Sequence, residues 1–171
     1  MNGWRTGNAP GQLVAGATGE GVTQRVVTDD HVAVLRAILV GNFADYERLA
    51  QHVERTNAWE GFNYLVTAAF YEAVYRSFGD RFTIPEVISF IASRRAELND
   101  PEADFDPRIA ERLILAALGN GSVEGIDEWA KGHAQVSLLV AMVAHENLDD
   151  ASVDDFLIEA RKVANNTSTR S

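Results

Sequence analysis

Leu35–Asn42 reads LRAILVGN, and Leu113–Asn120 reads LILAALGN. Each is an apolar run that stops on Gly-Asn, and each follows a capping residue at the same distance, Thr28 in one case and Asp106 in the other. Glycine just past a helix adopts the left-handed backbone that lets the last carbonyls bond back, so Gly41 and Gly119 read as helix stops. From these two runs the likeness spreads outward in the same order. Tyr46–Gln51 (YERLAQ) answers to Ile126–Lys131 (IDEWAK), and Tyr64–Val74 (YLVTAAFYEAV) to Leu138–Leu148 (LLVAMVAHENL). Thr83–Ile88 (TIPEVI) answers to Ser152–Leu157 (SVDDFL): a cap, an apolar residue, a variable position, an acid and two core residues. Four correspondences in one order predict an internal duplication. A unit of about 60–70 residues is marginal by itself, so two such units are expected to share one core.

The helices follow from caps and periodicity. Thr28 caps the first, with Asp29 and Asp30 in its positive first turn. A second spans 44–55 and a third 59–78, the latter apolar nearly all round and therefore central. Thr83 caps a fourth, with Pro85 in its first turn, where the missing N–H costs nothing. In the second half Asp106 caps a helix begun by Pro107, Ser122 caps one running through Lys131, 135–147 is again apolar all round, and Ser152 caps the last. No alternating run calls for a strand. The expected fold is all-α: about eight helices, as two similar four-helix halves sharing one core. Residues 1–27, with six glycines, form a flexible arm. The first half is 28–98, an acidic linker covers 99–106, the second half is 107–165, and 166–171 is a disordered tail.

Composition narrows the function. The net charge is -10. A phosphate backbone requires a basic face, and anionic lipid does too, so neither nucleic acid nor a membrane surface is an expected partner. The absence of cysteine excludes disulfides and thiolate chemistry. No stretch reads as a secretory signal or a membrane span, which makes the cytoplasm the expected location.

The segments ending LxGN, YLVxAAFYEAV, TIPEVISFIASRR, DPxIAERLILAAL and VDDFLIEARKVA resemble a family of small all-helical actinomycete-type bacterial proteins with no assigned function. The resemblance covers about residues 28–165. It consists of core and cap patterns, and it implies no activity, cofactor or site residue.

Chemistry has few footholds. None of His31, His52, His133 and His145 sits in HExxH or in ExxH, so no metal and no cofactor is expected. Asp149-Asp150 and Asp154-Asp155 lack the glycine and terminal glutamate of a calcium loop and read as capping charge. Arg94-Arg95, with Arg48 and Arg55, read as answers to helix dipoles. The duplication supplies the one candidate set, because Tyr71-Glu72 aligns with His145-Glu146. If the halves pack about a pseudo-dyad, Glu72 and Glu146 face each other, and paired buried carboxylates share a proton. Against this, both lie toward helix ends, where carboxylates ordinarily face water. The chain is therefore expected to be a non-enzymatic interaction or assembly module binding a protein partner or a second copy. The alternative is a small-molecule-binding protein or enzyme whose pocket, lined by Tyr71, Glu72, His145 and Glu146, lies at the seam between the halves.

Overall fold

A computed structural model describes residues 26–56, 58–97 and 105–168. Within them the chain forms seven α-helices and no strand: α1 (Asp29–Leu39), α2 (Phe43–Arg55), α3 (Trp59–Phe78), α4 (Ile84–Glu97), α5 (Pro107–Ala117), α6 (Glu128–Glu146) and α7 (Asp150–Ser168). A single 3₁₀ turn, Gly79–Arg81, links α3 to α4. No described helix is long and apolar enough to cross a membrane. All of the arm read from residues 1–27 except Val26 and Val27, and most of the acidic linker, lie outside the described residues.

The two Gly-Asn stops close in the same way. Gly41 and Gly119 have φ of 70° and 76°. Behind them, Asn42 N–H donates to the Ala37 carbonyl and Asn120 N–H to the Leu115 carbonyl, both at 2.8 Å. Orphan carbonyls at the end of α1 and α5 are thereby satisfied. Asp106 caps α5 by accepting from Arg108 N–H at 2.8 Å, and Glu86 N–H reaches Thr83 Oγ1 at 3.4 Å while Thr83 N–H donates to Glu86.

The core is a seam between α3 and α6, on which the other helices are laid. Phe62, Leu65 and Phe70 from α3 meet Leu138, Leu139 and Met142 from α6, all at or below 1% exposure. Each such side chain contributes about 1.5–3 kcal/mol on leaving water, so this seam is the main source of stability. Outer helices cross between the ends of the sequence. α7 packs on α1 and α3, whereas α4 packs on α5. α1 also touches α6, and α5 touches α3.

Three readings are corrected. The count is seven α-helices, because no separate helix spans Ser122–Lys131: Ser122 to Ile126 turn through Gly125 at φ 76°, Asp127 accepts from Ala130 N–H, and α6 then runs unbroken past Gly132. The second half thus has no counterpart of α2. The cap of α7 is Asp149, which accepts from Ser152 N–H at 2.8 Å, and Ser152 sits inside the first turn. The folded unit also begins before Thr28. Val27 is fully buried, and its N–H donates to Asn165 Oδ1 at 3.1 Å.

Candidate functional site

At the far end of the α3–α6 seam an open cleft of about 530 Å³ lies between the end of α3, the middle of α4 and the end of α6. Arg76, Ser77, Phe78, Phe90, His145 and Glu146 line it. Its origin is the unequal seating of the outer helices. α7 lies along α3, but α4 does not lie along α6 to the same extent, and the space between them remains. Aromatic edges bridge part of the gap: Phe78 meets Phe90 at 5.5 Å and 84°, and Phe90 meets His145 at 6.1 Å and 70°.

Of the four residues singled out by the sequence, His145 and Glu146 line this cleft. Tyr71 and Glu72 lie one turn or more toward the start of α3 and are not part of its wall; Tyr71 is 44% exposed and edges against Phe70. The carboxylate of Glu146 is taken by Arg76, with Nη2 to Oε2 at 2.8 Å across the seam. The seam thus joins an acid to a base, an arrangement that holds the two helices in register. Arg76 also lies over the Phe156 ring at 5.7 Å, tying the pair to α7. Sequence reasoning passed over Arg76 as a site residue. Its signal was the spacing from Glu72, one turn further along the same face.

Two of the remaining arginine candidates are locally engaged. Arg48 pairs with Asp45, and Arg94 pairs with Glu97 at 2.7 Å while its guanidinium covers Phe90. Asp149 is held below the usual carboxylate range by the Ser152 hydroxyl and then by the Ser152 N–H. Among the described residues no three His, Asp or Glu side chains converge as a metal site. The Ser77 hydroxyl is buried without a hydrogen-bond partner.

No protein-family model, curated protein or solved structure matches this chain. What the cleft and its surroundings do must be read from their own geometry.

A second buried polar position lies at the opposite end of the molecule. His31, in the first turn of α1, is 1% exposed, and its Nδ1 accepts a hydrogen bond from Thr28 N–H at 3.0 Å. It packs on Gly61 of α3 so tightly that a Cβ there would lie 2.5 Å from His31 Cε1. Burial lowers its pKa from 6.5; the Ala58 carbonyl and Asp30 oppose that, and Arg161 adds to it.

Proposed function

We propose that the chain is a non-enzymatic protein-interaction or assembly module whose docking face is the outer side of α4, beside the mouth of the cleft. The contrast between α4 and α7 carries this reading. Aligning Thr83–Ile88 with Ser152–Leu157 puts Val87 and Ile91 opposite Phe156 and Ala160, all of them buried. The same alignment puts Ile84 and Ile88 opposite Val153 and Leu157. Those two are 2% and 0% exposed on α7, yet Ile84 and Ile88 are 45% and 48% exposed on α4. Single exposed apolar residues are ordinary. Two on one helix face, at positions that the related helix buries, are what an unoccupied contact looks like.

The reading includes the internal duplication and an approximate two-fold axis through the seam. The matching Gly-Asn closures support it, as does the exchange by which α7 packs on α1 and α4 on α5. The excess of acid makes a partner with basic residues around an apolar stripe the best complement, and nucleic acid and membrane surfaces poor ones. The cytoplasm is the proposed location.

The test is affinity capture from the native host together with sedimentation velocity, comparing the wild type with Ile84→Asp/Ile88→Asp. A specific partner, or self-association, present in the wild type and lost in the double variant is the expected result. Identical behaviour of the two overturns the docking face. A second reading rests on the cleft itself: its aromatic wall and the Arg76–Glu146 pair suit a small ligand with an aromatic ring and a polar end. Under that reading Phe90→Ala would remove ligand binding and leave partner capture intact.

A further inference from the structure

We propose that His31 is a proton-sensitive latch that holds the chain entering α1 against the body of the protein and lets it go when the ring is protonated. The geometry assigns the proton. Nδ1 accepts from Thr28 N–H, so it carries no hydrogen, and the one proton of the neutral ring is on Nε2. Nε2 is buried with no partner at hydrogen-bond geometry, and the Ala58 backbone, close to the ring, favours its protonated form. An imidazolium has N–H on both nitrogens, so the Thr28 N–H would then face a second donor. The ring is enclosed, 1% exposed and packed so closely on Gly61 that not even a Cβ fits between them, which leaves it little room to turn away.

What the ring holds is a short, multiply tethered strand. Thr28 is fixed by His31, Val27 by its buried side chain and by Asn165 on α7, and Asp29 by an ion pair with Arg161 on α7. The Val26 carbonyl lies against Gly61. Two charges act on the ring, Asp30 on α1 and Arg161 on α7, and His52 of α2 lies 3.4 Å from Asp30. Asp30 favours the charged ring. Arg161 and burial disfavour it, and burial is the larger effect. In the released state the ring meets water and returns to an ordinary histidine pKa of about 6.5, so each pH unit below that favours release by roughly tenfold until the closed form also protonates. This inference does not depend on the α4 docking face.

The experiment is amide hydrogen exchange on the full chain at pH 7.5 and pH 5.5, with protection factors corrected for intrinsic rates. Val27 and Thr28 are expected to lose about tenfold in protection at the lower pH, while the seam amides of Leu65 and Leu139 hold theirs. In His31→Gln the amide oxygen keeps an acceptor for Thr28 N–H and has nothing to titrate, so the pH dependence should vanish. Unchanged protection in the wild type overturns the latch, as does equal loss in His31→Gln or a loss shared by the seam. Should His31→Gln fail to fold, ring nitrogen NMR of the wild type decides. Protonation that coincides with the loss of Val27 and Thr28 protection sustains the latch, and a ring protonated on Nδ1 at neutral pH overturns it.

Discussion

Gly61→Ala places one methyl group where the structure has no room for it. The new Cβ would sit 2.5 Å from His31 Cε1, 2.9 Å from His31 Nδ1 and 3.0 Å from the Val26 carbonyl oxygen. Ordinary carbon contacts lie at about 3.5–4.0 Å, so something must shift by roughly 1 Å. The ring is buried and bonded to Thr28, and the Val26 carbonyl is backbone, so neither gives way cheaply. Overpacking of this kind costs about 1–3 kcal/mol. Replacing glycine by alanine in a helix returns up to about 1 kcal/mol, and less in a first turn, where Gly61 lies. The net expectation is a loss of about 1–2 kcal/mol. In a His31→Ala background the clash with the ring is gone and only the 3.0 Å contact with the Val26 carbonyl is left to oppose the propensity gain, so the same substitution should cost clearly less than in the wild type. Urea unfolding of the four proteins of this cycle, read at constant m, measures both effects. If Gly61→Ala stabilises the wild type, or costs the same in both backgrounds, the assignment of His31 and Gly61 as a tight pair is wrong.

Three further outcomes are expected. Because burial lowers the His31 pKa in the folded state, the neutral ring's contribution to stability is complete above about pH 6.5 and is lost as pH falls below it; wild-type stability should therefore decline between pH 7.5 and 5.5 more steeply than that of His31→Gln, and parallel slopes would count against it. Asp106→Ala removes the α5 cap and should cost about 1 kcal/mol, read as a lower midpoint of thermal unfolding. The Arg76–Glu146 pair is partly exposed, so a double-mutant cycle with Arg76→Ala and Glu146→Ala should return a coupling of only about 0.5–1 kcal/mol that weakens in high salt; no coupling at all would remove its role in setting the seam.

Features written in a few adjacent residues were legible in the sequence. Gly41-Asn42, Gly119-Asn120, Thr83 and Asp106 act through neighbouring backbone groups, and the structure closes each as expected. α6 was misread because Ser122 looks like a cap and Gly132 like an interruption. The actual cap, Asp127, is chosen by the turn through Gly125, and a helix seated in the core tolerates one interior glycine. Ser152 lost to Asp149 in the same way, two good capping residues one turn apart. His31 lies one turn before Val34 and Leu35 on their buried face, so its burial was within reach of periodicity. Its hydrogen bond and the need for glycine at position 61 were not, since both depend on how closely α1 approaches α3. The cleft was legible only at its α6 end. His145 and Glu146 were named from the duplication, whereas Arg76 and Phe90 enter the wall through the angle of α4 and the pairing across the seam, which local pattern does not encode.

The central claim is that the outer face of α4 is a contact surface. The most direct measurement is site-specific photocrosslinking in the native host, with the reactive group placed at Ile88 and, as a control, at the exposed Glu159 of α7. The account predicts a discrete adduct from position 88, either with one other protein or with a second copy of this chain, and none from position 159. The same adducts from both positions, or none from position 88, would contradict it.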